Sequence, residues 1–165
     1  MTEDSSQALV FLPVGLNVQG KDCLVVGGGA IGTRKALTLV RAGAIVTVLS
    51  PTVTGELAGQ IRGGRVRWLK DSFREEHLAG VFLVVSATDD ETVNAAVVRA
   101  AAQRGALACD ASSAERSAVI FGALLEGDDF TVAVFTAGRD PAQAKRVRDR
   151  IADCVAAARP STPQP

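Results

Sequence analysis

The stretch 22–44, DCLVVGGGAIGTRKALTLVRAGA, constrains the fold more than any other part of this chain. Residues 23–26 form an unbroken apolar run, the pattern of a strand buried on both faces. Three glycines follow, and then apolar residues at helical spacing, before the strand-like "IVTVLS" at 45–50. A chain that changes from strand period to helix period across a glycine turn, and then returns to a strand, has made a βαβ unit. Its parallel strands are covered on both faces only if the rest of the chain brings more strands and helices.

The rest does so. "ELAGQIRGG", "RVRWLK", "GVFLVVSAT", "DETVNAAVVRAAAQRG" and "ALACDAS" continue the alternation and predict an α/β, Rossmann-like doubly wound parallel sheet over residues 8–112. From Ser117 the rhythm breaks. "SAVIFGALLEGDDFTVAVFT" predicts two strands joined by a tight "EGDD" turn, and "DPAQAKRVRDRIADCVAAA" a charged helix with Pro141 near its start. This C-terminal strand hairpin and helix, 113–158, leaves "AVIFGALL" and "FTVAVF" poorly covered, which predicts dimerisation with a second copy. The Pro-rich residues 159–165 are expected to be disordered.

Charge and cysteine usage remove several functions. The 18 Lys and Arg balance the 18 Asp and Glu, and no polybasic run offers a surface to nucleic acid. Cys23, Cys109 and Cys154 are widely spaced and the chain holds 1 His, so neither a metal site nor a disulfide framework is expected. The first residues are acidic and polar where a leader is basic and apolar, and no apolar run reaches the roughly 18 residues of a membrane span. A cytoplasmic protein without a membrane partner is the expectation.

Gly27, Gly29 and Gly32 fit G-x-G-x-x-G between strand and helix, the context that gives this pattern a dinucleotide meaning. The first glycine permits the tight turn, the second lets backbone approach a pyrophosphate, and the third lets helix and strand pack closely. Gly27, Gly28, Gly29, Ala30 and Ile31 are therefore the candidate cofactor contacts, with the helix N-terminus facing the phosphates. At the end of the second strand, Ser50, Pro51 and Thr52 provide neither a carboxylate for an adenine ribose nor an arginine for a 2′-phosphate, so these residues leave NAD and NADP both open. Ala87, Thr88 and Asp89 follow the apolar strand "FLVV" and border the same crevice, although Thr88 or Asp89 serves equally well as a helix N-cap.

Taken together, "CLVVGGGAIGTRKA", "ATDDETVN" and "FTVAVFTAGRDPAQAKRVRDRI" resemble the precorrin-2 dehydrogenase family, the siroheme-synthase N-terminal type, over almost the whole folded part. The resemblance implies NAD as cofactor, oxidation of the tetrapyrrole precorrin-2 to sirohydrochlorin in siroheme biosynthesis and, in some members, insertion of ferrous iron. It matches 27–31 to the pyrophosphate turn, 50–52 to the ribose side, 88–90 to the crevice, and Arg34 and Lys35 to a basic pair in the first helix. It also matches "TAGRDP", 136–141, to a loop near the substrate, giving Thr136, Gly138 and Arg139 as substrate contacts. A polycarboxylate substrate calls for cations, and Arg116, Arg139, Lys145, Arg146 and Arg148 gather after the sheet in sequence.

The family's favoured base is an Asp after the fifth strand. With Cys109 as anchor, that position falls on Ser113, and the nearest carboxylates are Asp110 and Glu115. A serine hydroxyl is no base at neutral pH, so Asp110 and Ser113 are the catalytic candidates. The proton then goes to Asp110, to water or to a substrate carboxylate. Family members usually continue into a further helical region, where this chain turns Pro-rich. Both departures argue for dehydrogenation with little or no iron insertion. The alternatives are a non-catalytic NAD-binding domain and a tetrapyrrole-binding paralogue.

Overall fold

A computed structural model describes residues 10–136 and 140–158. The chain divides into two compact units, one of Pro13–Ile120 and one beginning at Phe121.

The first unit contains β1 (Asp22–Val26), α1 (Ala30–Arg41), β2 (Ile45–Leu49), α2 (Gly55–Arg62), β3 (Val66–Leu69), β4 (Leu83–Ser86), α3 (Glu91–Gln103) and β5 (Leu107–Asp110), with a 3₁₀ turn at Glu75–Leu78. The strands pair in parallel in the order β3-β2-β1-β4-β5. The apolar run read as a doubly covered strand is one: Cys23–Val26 and all of β4 are buried. α1 carries the chain from β1 outward to β2, and α3 carries it from β4 to β5 in the other direction. Right-handed crossovers in opposite directions put these helices on opposite faces.

Alternation along the strands divides the core accordingly. Leu24, Val26, Val84 and Ala108 pack with Val97, Ala100 and Ala101 of α3 and with Leu78 of the 3₁₀ turn. Val25, Val46, Val48 and Val85, all at most 1% exposed, fill the other face. The winding reverses between β1 and β4, so the carboxyl ends of these two strands flank the crevice where such sheets take ligands.

The second unit is an antiparallel hairpin, β6 (Ala123–Glu126) and β7 (Thr131–Val134), with α4 (Pro141–Ala158) packed on it. The Gly127 N–H donates to the Phe130 carbonyl at 2.9 Å and closes the turn, and Arg148 Nη1 donates to the Leu124 carbonyl at 3.1 Å. Among the described residues no helix is long and apolar enough to cross a membrane.

Two expectations are corrected here. Residues 117–122 are not the start of the first hairpin strand: the amides of Ala118 and Val119 both donate to the Ala108 carbonyl, at 2.9 and 3.1 Å, which ties this segment to β5. The boundary between units consequently falls after Ile120 rather than after residue 112. The N-cap of α3 is Asp90, not Thr88 or Asp89, because its Oδ1 accepts from Thr92 N–H at 2.8 Å and Val93 N–H at 3.2 Å. Residues 159–165 lie outside the described residues.

Candidate functional site

The glycine turn joins β1 to α1 at the winding reversal. Gly27 has φ +115, a conformation other residues rarely adopt, and a Cβ there would collide with the Ala87 carbonyl. A Cβ on Gly28 would strike the Thr52 carbonyl, and one on Gly32 the Gly27 carbonyl. These three glycines are therefore spent on packing: Gly27 against the end of β4, Gly28 against the loop after β2, Gly32 on the turn itself. Gly29 differs. Its φ is an ordinary −74 and a Cβ would meet nothing within 4 Å, so this backbone faces open space.

The same end of α1 is prepared for an anion. Gly29 is its N-cap, no side chain caps it, and its first turn contains no acidic residue. An N-terminus in that condition presents unshared N–H groups and a partial positive charge. Ala30 and Ile31 are exposed beside it, Ile31 at 48% although apolar. On β4 the Ser86 hydroxyl is buried without a hydrogen-bond partner, at the carboxyl edge of the strand. A dinucleotide fits these features: pyrophosphate against Gly29 and the α1 amides, apolar surface at Ile31 to cover, and polar capacity left at the strand end. Arg34 is exposed on α1, and Lys35 is half-buried, with burial lowering its pKa despite the Cys109 sulfur nearby.

The loop after β2 is fixed from two sides. Ser50 is buried, and its carbonyl accepts from Trp68 Nε1 at 2.9 Å, while its N–H donates to the Leu69 carbonyl at 3.1 Å. The Thr54 N–H donates to the Gly28 carbonyl at 3.1 Å, and its hydroxyl caps α2 and lies 2.8 Å from that of Thr33. Pro51 and Thr52 are exposed between these anchors.

The loop after β4 is held by a residue that sequence reasoning missed. Asn94, 1% exposed on α3, accepts from the Thr88 N–H at 3.1 Å and the Thr88 hydroxyl at 2.8 Å, and its Nδ2 donates to the Thr88 carbonyl at 3.1 Å. Asp89 stays exposed. Nothing in "ETVNAAVV" marks Asn94 out except that a polar residue interrupts the buried face of the helix.

Asp110 ends β5 with its side chain fully enclosed. Oδ1 accepts from the Ser112 N–H at 2.9 Å and the Ser112 hydroxyl at 2.7 Å, and Oδ2 accepts from Arg116 Nε at 2.7 Å. Burial alone raises its pKa, but the Ser112 and Arg116 hydrogen bonds outweigh it and hold the carboxyl below its ordinary value. A carboxylate so satisfied anchors its loop; the sequence left it as one of three acceptors for the proton, beside water and a substrate carboxylate. Ser113, half-buried, is also internal to this loop: its hydroxyl accepts from the Arg116 N–H at 3.3 Å, and its carbonyl accepts from the Ser117 hydroxyl at 2.8 Å.

The expected substrate cations are mostly engaged. Arg116 pairs with Asp110 and, at 3.2 Å, with Glu91. Arg146 lies 3.6 Å from Asp140, Arg148 pairs with Asp149 at 2.6 Å, and Lys145 is exposed. The Thr136 hydroxyl donates to the Asp140 carbonyl at 2.9 Å, bracing the entry to α4. Gly138 and Arg139 lie outside the described residues.

A family model described as putative NAD(P)-binding matches residues 14–123. Siroheme synthase 1 of Pectobacterium atrosepticum is 38% identical over 141 residues, which is 86% of this chain and 29% of that protein. The siroheme synthase of Photorhabdus laumondii is 33% identical over 141 residues, 86% of this chain and 30% of that protein. The chain thus spans about three tenths of the length of these curated relatives. A solved structure of SirC, precorrin-2 dehydrogenase, superposes with a TM-score of 0.76 at 30% identity, covering 87% of this chain and 71% of that one.

Proposed function

Since this chain belongs to the siroheme-synthase N-terminal family, we propose that it oxidises precorrin-2 to sirohydrochlorin with NAD as hydride acceptor. The observation that carries this reading is the likeness to the precorrin-2 dehydrogenase structure over 87% of the chain, with the glycine turn of a dinucleotide site inside the matched region.

NAD, once bound, supplies the acceptor for the hydride. The chain's own part is to hold and orient. The exposed Gly29 backbone and the uncapped amides of α1 take the pyrophosphate, 50–52 the ribose side, and 87–89 the far side of the crevice. Arg116, Thr136, Gly138 and Arg139 are the proposed contacts for the carboxylate-rich substrate. Dehydrogenation also releases a proton. Asp110 remains ionised and holds the loop that includes Ser113, so the proton passes to water or to a substrate carboxylate. Iron insertion must strip pyrrole protons as well, and with Asp110 engaged and Ser113 no base at neutral pH it is slow or absent. The protein works as a cytoplasmic homodimer. The half-covered strands β6 and β7 support pairing, and the balanced charge and widely spaced free cysteines suit a reducing compartment.

An anaerobic absorbance assay with precorrin-2 and NAD, run with and without ferrous or cobaltous ion, tests the reading. The expected result is sirohydrochlorin formation that requires NAD, with no marked acceleration of metal insertion. Absence of oxidation overturns the dehydrogenase reading and leaves a binding paralogue; brisk metal insertion overturns its second part. Gly29→Val is expected to fold normally, since its Cβ meets nothing, and to weaken NAD binding at least about 100-fold through the lost approach of backbone to phosphate. Unchanged affinity would remove this turn from the site.

A further inference from the structure

The Ala87–Thr88 peptide lies between two groups that never meet in sequence. On one side stands Gly27, where a Cβ would strike the Ala87 carbonyl and come within 3.1 Å of the Thr88 nitrogen. On the other stands Asn94, whose amide grips both the N–H and the carbonyl of Thr88. A side-chain amide that both donates to and accepts from one residue's backbone reproduces a strand partner beyond the end of β4. α3 does not need Asn94 for capping, because Asp90 already supplies the cap. Burying an amide in an otherwise apolar helix face is costly unless its polar atoms are used, and here they are used chiefly on Thr88, whose N–H closes the Ala87–Thr88 peptide and whose carbonyl opens the next.

Asn94 also reaches outward. Its Nδ2 stands 3.5 Å from Ser112 Oγ, at the long limit of a hydrogen bond, and that hydroxyl donates to the enclosed Asp110 carboxylate. A polar chain therefore runs from the loop after β5, through Asn94, to the peptide against which the glycine turn rests. We propose that Asn94 is a positioning residue for cofactor binding, setting the glycine turn through the Ala87–Thr88 peptide and coupling it to Ser112 in the loop after β5. This rests on the proposed NAD site.

NAD affinity of the full chain, measured by calorimetric titration, tests it. Asn94→Leu keeps the volume and removes both polar ends. It should raise the NAD Kd about tenfold, while Asn94→Asp, which keeps the acceptor for Thr88, should fall between it and the wild type. Ser112→Ala, remote from the glycine turn in sequence, should raise the Kd about threefold in the wild type and leave it unchanged in the Asn94→Leu background. A merely structural role would make those two effects additive. An NAD Kd within twofold of the wild type in a folded Asn94→Leu protein, or additivity with Ser112→Ala, overturns the proposal. Should Asn94→Leu fail to fold, Asn94→Asp, which removes the donor to the Thr88 carbonyl, takes its place, with a raised Kd expected and an unchanged one decisive against. Wild-type protein that binds no NAD would bring down the functional reading and this inference together. Wild-type binding with insensitive variants brings down the inference alone.

Discussion

The two units bury their apolar residues by different means. In the parallel sheet, β1 and β4 are covered on both faces, and among the described residues every buried apolar residue except Ala144 lies in that unit. In the hairpin unit, β6 and β7 have intermediate and exposed positions only, although their sequences, ALLE and TVAV, are as apolar as many core strands. Sequence hydrophobicity is similar; coverage is not. A doubly wound sheet supplies its own cover from crossover helices, whereas a two-stranded hairpin with one helix has a single covered face. The lesson is that apolar content locates strands, and topology decides whether the chain can finish burying them.

The largest expected effect tests that contrast directly. Leu24→Ala, at 2% exposure in the sheet core, should cost about 2–5 kcal/mol in urea unfolding. The same truncation at half-buried Leu124 should cost about 1 kcal/mol at low protein concentration. If a second copy covers the hairpin, the Leu124→Ala cost should grow as protein concentration rises, which Leu24→Ala should not do. Equal costs at every concentration would erase the difference between units.

A middle-sized effect concerns charge. Asp110→Asn turns an amide toward Arg116 and should cost about 2 kcal/mol, less than a fully enclosed pair because Arg116 is one third exposed. The folded carboxyl titrates below its ordinary value of 3.8, so its contribution is complete above that value and is lost as pH falls through the folded pKa. The sheet unit should accordingly weaken in acid, and Asp110→Asn should flatten that dependence. As a loop anchor, Asp110 should affect the KM for precorrin-2 more than kcat. A kcat loss of about 10²- to 10⁴-fold, with the corresponding limb of the pH profile gone, would make it the base after all.

The smallest effect is chemical. Cys154 on α4 is exposed, whereas Cys23 and Cys109 are buried in the sheet. Native protein should label rapidly at Cys154 and at the other two only on unfolding. Burial, followed by the charge of Asp22, pushes the Cys23 thiol up to about 11 from 9.0. The unfolded chain therefore loses that proton first, and stability should decline as pH rises from 9 toward 11. Rapid labelling of Cys23 at neutral pH would mean that the sheet opens far more easily than its packing implies.

Much of this architecture was legible because it rests on local periodicity. The change from "CLVV" to "AIGTRKAL" across Gly27–Gly29–Gly32 fixes β1, turn and α1 without outside help, and the later alternation extends the sheet. What escaped depends on contacts between distant segments. The run 117–122 is apolar enough for a strand, yet Ala118 and Val119 spend their amides on Ala108. The 3₁₀ turn at Glu75–Leu78 lies in a polar stretch braced by Arg74, Asp71 and His77, which has no period to read. Asp110 looks like an available acid in "LACDASSAER" until Ser112 and Arg116 fold back on it. Asn94 and Ser112, 18 positions apart, meet only through the α3 crossover.

The bond from Trp68 to the Ser50 carbonyl has an optical consequence. The chain contains 1 Trp and 0 Tyr, so its ultraviolet emission comes from one indole, and that indole is attached to the loop read as the ribose side of the site. With Trp68 37% exposed and the Lys70 ammonium 6.0 Å from the ring centre, the fluorophore sits where local polarity can change its quantum yield. Reduced nicotinamide absorbs in the range where indole emits. The protein thus carries an intrinsic donor tied to the Ser50 carbonyl, and if 50–52 is the ribose side, occupancy by the reduced dinucleotide would be readable as quenching of native fluorescence without any attached dye.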